Sequence, residues 1–72
     1  LLINVIKRVS ENIKSLRKEK KYSQEELAEL SGLHRTYISQ IERGVKNPTI
    51  KNLEKIACAL DIDIIEFFKK EG

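Results

Sequence analysis

The chain has 72 residues, of which 35% are charged and 40% are hydrophobic, and its formal net charge is +3. This length allows one small domain, residues 1–72, and is too short for a substantial enzyme cleft. The sequence contains no paired-carboxylate, Cys/His, metal-ligand or glycine-rich phosphate signature, and one histidine leaves few general bases. We therefore expect a protein that is not an enzyme and that uses no metal or other cofactor.

The positive charge is concentrated in two segments. Residues 7–21 carry seven basic and two acidic side chains, and residues 35–51 carry four basic and one acidic. Segments 22–34 and 52–72 are net acidic. A basic surface assembled from separate segments fits a phosphate-binding face, although charge alone would favour an ordinary solvated surface.

Two further features concern the location of the protein. No segment reaches the length of a transmembrane helix and no charged-then-apolar leader is present, so we expect no membrane partner. The single cysteine, Cys58, cannot form an intramolecular disulfide, which is compatible with the reducing cytoplasm. Because Cys58 lies in an apolar segment, we expect a buried structural thiol rather than a redox sensor. The sequence predicts a cytoplasmic protein.

The first predicted element is a helix from about Ile3 to Lys20. Apolar residues recur in this segment at the 3-4-3 spacing of one helix face. They are Ile6, Val9, Ile13 and Leu16.

The next segment, residues 24–43, has the spacing of a helix-turn-helix. Ser23 is a suitable N-cap for its first helix, and Glu26 completes a capping box. Gly32 can adopt the positive φ that ends this helix within one residue. The second helix then has a buried stripe formed by Ile38 and Ile41. In proteins with this motif the second helix enters the major groove of DNA.

At 100° per residue, the second helix turns a polar face away from its apolar stripe. The side chains on and beside that face carry donors that can meet base edges or phosphates. The predicted base-reading residues are Arg35, Thr36, Tyr37, Ser39 and Gln40. For Tyr37, packing on the flank of the helix is an equal alternative to reaching a thymine methyl or a phosphate. His34 is expected to serve in the first turn or as a cap rather than to touch a base, and Glu42, beside the buried stripe, requires a partner.

A loop from Gly44 to Pro48 follows, and Thr49 is a good N-cap for a fourth helix. The predicted apolar face of this helix consists of Ile50, Leu53, Ile56, Ala57 and Leu60. Asp63 can cap a fifth and last helix, Ile64 to Lys70. The pattern therefore predicts a compact all-α fold of five helices.

The last helix carries more apolar side chains than a core of this size can bury. Exposed apolar surface of this kind usually marks a partner site, although a simple C-terminal seal of the core accounts for some of it. Ile65 and Phe68 fall on one side, with Ile64 and Phe67 turned partly from them. The predicted interface residues are Ile64, Ile65, Phe67 and Phe68.

The sequence resembles the Cro/repressor-like (XRE) family of bacterial and phage helix-turn-helix regulators. The resemblance covers about residues 12–67 and implies a lambda-repressor-like DNA-binding domain. Its segments are Ile13-Lys14-Ser15-Leu16-Arg17, Ser23-Gln24-Glu25-Glu26-Leu27-Ala28, Tyr37-Ile38-Ser39-Gln40-Ile41-Glu42-Arg43-Gly44 and Leu53-Glu54-Lys55-Ile56-Ala57-Cys58-Ala59-Leu60. Within the family, the short chain and Arg35-Thr36-Tyr37-Ile38-Ser39 followed by Ile41-Glu42-Arg43 look most like the controller proteins of restriction–modification systems.

The resemblance implies roles for particular residues. An arginine near the end of the first helix pairs in this family with the glutamate of the Ile-Glu-Arg-Gly segment, which here are Arg17 and Glu42. Gln24 is implied to touch the DNA backbone. Three residues that follow the recognition helix are further phosphate candidates: Arg43, Lys46 and Asn47. Many members have glycine where this chain has Lys21, so Lys21 must either adopt a left-handed conformation or alter the turn.

The implied protein is a homodimeric transcription regulator that places two recognition helices on a palindromic operator in double-stranded DNA. Glu25 and Glu29 lie where some phage repressors carry the acids that touch RNA polymerase, so activation is conceivable beside repression. The simpler interpretation is that both are solvated acids that suit the start of a helix. A phage-type repressor, and an antitoxin-type interaction module with a toxin partner, remain alternatives.

Overall fold

The computed structural model describes residues 4–70. Four α-helices follow one another along the chain and a short 3-10 helix ends the fold. Their bounds are Val5–Glu19 (α1), Gln24–Ser31 (α2), Arg35–Glu42 (α3), Ile50–Leu60 (α4) and Ile64–Phe68 (the 3-10 helix). The predicted all-α fold is confirmed, with a 3-10 helix in the place of the fifth α-helix.

All four α-helices end in the same type of turn. In each, a residue with positive φ follows the helix, and the next backbone N–H donates to a carbonyl five residues earlier. This is the Schellman arrangement, which satisfies the last carbonyls of a helix. The positive-φ residues are Lys21, Gly32, Gly44 and Asp61, with φ of 63°, 74°, 74° and 57°. Lys21 therefore retains the left-handed turn that glycine usually occupies there.

Asn4 caps the first helix. The Asn4 side chain accepts a hydrogen bond of 2.9 Å from the backbone N–H of Lys7, which sets the first helical residue at Val5. The predicted start at Ile3 lies outside the described residues.

A single core joins all five elements. Phe67 from the 3-10 helix is among its largest fully buried side chains. The core consists of Val9, Ile13, Leu27, Ala28, Ile38, Ile41, Leu53, Ile56, Ala57, Leu60 and Phe67.

Three expectations about burial were wrong. Ile50 is 76% exposed because it is the first residue of α4 and lies beyond the core. Ile6, near the start of α1, is also exposed, at 37%. Cys58 is exposed as well, since it lies one residue, or 100°, beyond the buried Ala57 and faces away from the core.

The C-terminal segment is shorter than the predicted helix Ile64 to Lys70. Asp63 caps it by accepting a hydrogen bond of 2.9 Å from the backbone N–H of Ile65. The buried amide of Asn12 then donates to the backbone carbonyls of Phe67 and Lys69, both at 2.8 Å. These bonds hold an extended backbone at Lys69 and fix the segment against α1.

Candidate nucleic-acid interface

The α2–turn–α3 unit forms as the sequence predicts. The Ser23 hydroxyl accepts from the Glu26 N–H at 3.0 Å, and the Glu26 carboxylate accepts from the Ser23 N–H at 2.8 Å, which is the expected capping box. Gly32 ends α2 in the left-handed conformation. His34 occupies the N-cap position of α3, where its side chain makes no capping hydrogen bond.

The exposed face of α3 carries the predicted base-reading residues. Ile38 and Ile41 are fully buried, which turns the opposite face of the helix outward. Arg35 and Thr36 are exposed, whereas the remaining three are half-buried. These three are Tyr37, Ser39 and Gln40. The most exposed part of this polar face is therefore at the N-terminal end of α3.

A buried ion pair fixes α3 against α1. Arg17 donates through Nε to Glu42 Oε2 at 2.7 Å and through Nη2 to Glu42 Oε1 at 2.9 Å. Both residues are buried, and the Glu42 side chain is only 2% exposed. Arg17 Nη1 also donates to the Tyr22 carbonyl at 2.7 Å, which ties the pair to the turn before α2. The hydrogen bond with Glu42 raises the pKa of Arg17 against the opposing effect of burial, so the guanidinium remains charged.

Gln24 completes this cluster in a way that the sequence does not suggest. Its Nε2 donates to Glu42 Oε1 at 3.0 Å. One N–H and the carbonyl oxygen of the amide remain for other partners. The contact links the first residue of α2 to the last residue of α3, so it fixes the start of α2 next to the end of α3.

The loop after α3 presents further polar groups. Gly44 turns the chain with a φ of 74°, and Val45 is 63% exposed. The predicted phosphate residues Arg43, Lys46 and Asn47 are exposed. They extend the polar surface beyond the recognition helix. On α2, Glu25 and Glu29 are also exposed.

The predicted interface residues at the C-terminus separate into two groups. Ile65 and Phe68 are exposed, at 57% and 39%, whereas Ile64 is half-buried against the core. Phe67 is fully buried within the single chain. The assignment of Phe67 to a dimer interface was therefore wrong, since the 3-10 helix turns its ring inward.

Phe68 lines an apolar groove that also includes residues from distant parts of the chain. The start of α1, the loop before α4 and the start of α4 meet there. The lining residues are Val5, Ile6, Val9, Asn47, Pro48, Ile50, Leu53 and Phe68. The sequence pattern did not predict that Val5 and Ile50 contribute to this groove. Both exposed side chains lie at helix starts, where periodicity is a poor guide to burial.

The hydrogen bonds of two asparagines were also not predicted from the sequence. Asn12 fastens the C-terminal segment, and Asn52 donates through Nδ2 to the hydroxyl of Tyr37 at 2.9 Å. Their partners lie 55 and 15 residues away, so local spacing carries no signal for either bond.

No helix within residues 4–70 has the length and apolarity needed to cross a membrane. In the same residues no group of three or more potential metal ligands comes together.

A capped helix, a left-handed glycine turn and a second helix with an outward polar face define a helix-turn-helix DNA-binding domain. The family model described as helix-turn-helix matches residues 13–67. The chain therefore belongs to this helix-turn-helix family, and its type is the predicted Cro/repressor-like (XRE) one. It is a DNA-binding transcription regulator.

The similar proteins include controllers of restriction–modification systems. Control protein C.SmaI of Serratia marcescens is 42% identical over 64 residues, which cover 89% of this chain and 76% of that protein. The crystal structure of the controller protein C.AhdI from Aeromonas hydrophila matches with a TM-score of 0.86 and 43% identity over 88% of this chain and 96% of that one. The controller protein C.Esp1396I, crystallised as a tetramer with its natural 35 base-pair operator, matches with a TM-score of 0.84 and 46% identity over 93% of this chain and 88% of that one.

Proposed function

We propose that the protein is the controller of a restriction–modification system and binds a palindromic operator as a homodimer. The observation that carries the proposal is the cluster of Arg17, Gln24 and Glu42, which fixes the position of α3 relative to α2. In this position the polar face of α3 points outward. The likeness to C.SmaI and C.AhdI supports the controller role. Such a protein acts in the cytoplasm.

Selection of bound DNA from a random pool tests this function directly. A homodimer should enrich two inverted half-sites about one helical turn, or 10 base pairs, apart. A controller role predicts that the enriched sequence occurs upstream of a restriction endonuclease or controller gene in the genome of origin. Enrichment of a single unpaired half-site would contradict the homodimer.

Within the interface, Arg35 is proposed to read a base and Lys46 to hold a phosphate. Arg35 is exposed at the start of α3, where a guanidinium can bond to the O6 and N7 atoms of a guanine. Lys46 lies in the loop after α3 and offers a point charge. Thr36, Ser39 and Gln40 are proposed to contact bases in the major groove of DNA beside Arg35. The proposed phosphate contacts, besides Lys46, are Gln24, Arg43 and Asn47.

The two roles predict different losses. Arg35→Ala should weaken operator binding by about 1–3 kcal/mol per half-site and lower the ratio of specific to nonspecific affinity. Lys46→Ala should weaken all sequences about equally and reduce the salt slope by about one counterion per half-site. Competition binding on operator and scrambled DNA at several salt concentrations measures both. A larger change in the ratio for Lys46→Ala than for Arg35→Ala would reverse the assignment.

The proposed dimer surface combines the exposed C-terminal residues with the apolar groove. It includes Ile65, Phe68 and Ile50, all of which are exposed in the single chain. Because a second copy would bury these side chains, dimerisation would remove apolar surface from water.

A charge placed on this surface tests the dimer. Ile65→Lys should produce a monomer with weakened operator binding. Leu30→Lys is the matched control, since Leu30 is 55% exposed on α2 and Ile65 is 57% exposed. Light scattering at tens of micromolar distinguishes the two variants. A monomeric unmodified chain would contradict the proposal, and a monomer that dimerises only with a second protein would favour the toxin-binding alternative.

Activation through RNA polymerase is a second candidate for the exposed acids of α2. Glu25, Glu26 and Glu29 are all exposed, but the Glu26 carboxylate is engaged in the capping box, whereas those of Glu25 and Glu29 are available to a partner. If they touch polymerase, Glu25→Gln with Glu29→Gln should lower reporter activation without changing operator affinity. Unchanged activation would identify them as solvated acids.

A further inference from the structure

The end of α1 carries exposed lysines that pair with no acid. Lys14 and Lys18 lie four residues apart, which places them on one face of the helix, about 40° from each other. Lys21, in the turn that follows, is exposed as well. Among residues 4–70, no carboxylate lies within salt-bridge distance of these three ammonium groups. Lys14, Lys18 and Lys21 therefore form a patch of positive charge that the chain does not neutralise, here called the lysine patch.

The acids nearest to the lysine patch are directed elsewhere. Glu19 points about 140° away from Lys14 around the helix and lines a depression together with Glu66 of the C-terminal segment. Glu11, one turn before Lys14, lines a cleft beside Arg43. Because neither acid covers the patch, its field favours an anionic partner.

Lys21 is held in a conformation that glycine adopts more easily. Its φ of 63° lies in the left-handed region, where a side chain with a Cβ atom is strained. Its ammonium group has no ion pair within residues 4–70 that would offset the strain. Strained residues cluster at functional sites, where a contact retains them. A lysine at this position therefore indicates a partner outside the chain.

The lysine patch borders the proposed DNA-binding surface. Arg17 lies on the same stretch of α1, and its Nη1 donates to the carbonyl of Tyr22 in the turn that follows. Its Nη2 donates to Glu42 Oε1, and Gln24 Nε2 donates to the same oxygen. Gln24 is proposed to bind a phosphate. The end of α1 is thus fixed next to a proposed contact with the DNA backbone.

The first helix runs from the proposed dimer surface towards the lysine patch. Val5 and Ile6, at the start of α1, line the apolar groove together with Phe68. Lys18 lies 13 residues after Val5, or about 20 Å along the helix axis. Two half-sites are about 34 Å apart, so the centre of each lies roughly 17 Å from the two-fold axis. The lysine patch therefore lies on the outer side of each half-site.

We propose that the lysine patch binds the phosphate backbone of the DNA that flanks the operator on its two outer sides. The partner is double-stranded DNA of any sequence, because phosphate contacts carry no base information. This inference rests on the proposed homodimer on DNA and adds a contact outside its two half-sites. The contact lengthens the bound DNA without changing the sequence that is read.

Duplexes of two lengths test where the patch binds. The shorter contains only the palindrome that the unmodified chain selects, and the longer adds about one helical turn of scrambled sequence, roughly 10 base pairs, on each side. Binding to both is measured at several salt concentrations for the unmodified chain, for Lys14→Gln, Lys18→Gln and Lys21→Gln, and for the triple variant. Glutamine removes the charge and retains a long side chain.

Lys55→Gln is the matched control. Lys55 is exposed on the face of α4 opposite its buried residues, and its replacement lowers the net charge of the chain by the same amount as each patch variant. A loss that follows net charge alone therefore occurs in the control as well.

The unmodified chain should bind the longer duplex more tightly and with a steeper salt dependence. One phosphate contact adds about 0.9 to the salt slope, which corresponds to up to about eightfold in affinity at 0.1 M salt. Each patch variant should lose several-fold of its affinity for the longer duplex. The triple variant should bind the two duplexes equally. Affinity for the shorter duplex should change no more than it does for Lys55→Gln, which should keep the preference for the longer one.

Four outcomes would overturn the inference. Equal affinity of the unmodified chain for both duplexes would show that the flanks are not bound. Equal losses on both duplexes would place the lysines within the half-sites. An equal loss for Lys55→Gln would make the effect one of net charge. Unchanged DNA binding with lower reporter activation would identify an acidic protein as the partner. If the unmodified chain selects no palindrome, the proposed function itself fails, so the two failures are distinguishable.

Discussion

Polar contacts hold the recognition side of the molecule, whereas apolar contacts dominate its C-terminal side. On the first side, the Glu42 carboxylate accepts hydrogen bonds from both Arg17 and Gln24, which fixes the start of α2 next to the end of α3. On the second, Phe67 enters the core while Phe68 remains partly exposed beside it. Directional bonds suit the side that must present side chains to DNA at fixed distances. Non-directional apolar surface suits the side proposed to pair with a second copy.

The largest expected effect is on stability, and it separates the buried Phe67 of the C-terminal side from the exposed Phe68. Phe67→Ala should lower the free energy of unfolding by about 3–5 kcal/mol, because it empties a fully buried ring site. Phe68→Ala should cost less and should chiefly weaken the dimer. Urea denaturation at several protein concentrations separates them, since a folded dimer has a midpoint that rises with concentration. If both variants retain that rise equally, Phe68 is not at the interface.

On the recognition side, Glu42→Ala should leave a buried guanidinium unmatched. We expect a loss near the lower end of about 3–5 kcal/mol, because Arg17 keeps its bond to the Tyr22 carbonyl. Glu29→Ala, an exposed acid on α2, is the control and should change little. Since the pKa of Arg17 is raised above its ordinary value, its contribution should be constant across neutral pH and be lost only as the pH rises into strong alkali. Equal denaturant midpoints for the two variants would reject a stabilising pair.

The Asn12 amide connects the two sides through α1. Asn12→Ala should leave two backbone carbonyls without a donor and cost about 1–3 kcal/mol. Because it loosens the 3-10 helix, dimer affinity should fall, and it should do so more than for the half-buried control Ser15→Ala. The measurement is the dissociation constant of the dimer by light scattering. Loss of stability with an unchanged dimer would show that Asn12 does not shape the interface.

The smallest effects distinguish the turns at the ends of the helices. The turns on either side of α3 use Gly32 and Gly44, whereas those after α1 and α4 use Lys21 and Asp61. Lys21→Gly should stabilise the fold by up to about 1 kcal/mol, since a left-handed lysine is strained and glycine offsets part of the gain through its greater freedom when unfolded. Lys20→Gly, at a right-handed position, is the control and should destabilise. Thermal unfolding compares the two, and a stabilising Lys20→Gly would undermine this reasoning.

The two sides also differ in how far the sequence predicts them. The capping box of Ser23 with Glu26 and the turn at Gly32 are local patterns with few physical alternatives, so the start of α2 at Gln24 and the turn that ends it were predicted correctly. The C-terminal segment was predicted as a longer helix with Phe67 outward, because neither periodicity nor composition shows that Asn12, more than fifty residues away in the chain, takes the carbonyls that would continue it.

The same limit applies to the candidate site. The pairing of Arg17 with Glu42 followed from the family resemblance, and the structure contains it. The bonds of Gln24 to Glu42 and of Asn52 to Tyr37 join residues that no local pattern relates. The exposed position of Ile50 was missed because the first residue of a helix lies outside the core that its periodicity suggests.

Arg35 and Thr36 stand exposed on a helix whose folding depends on other residues, namely Ile38, Ile41 and Glu42. If these two residues read bases as proposed, mutation can alter the target sequence without first having to preserve a core contact. For the same reason the exposed half of α3 is a suitable position at which to install a different DNA specificity on an unchanged scaffold.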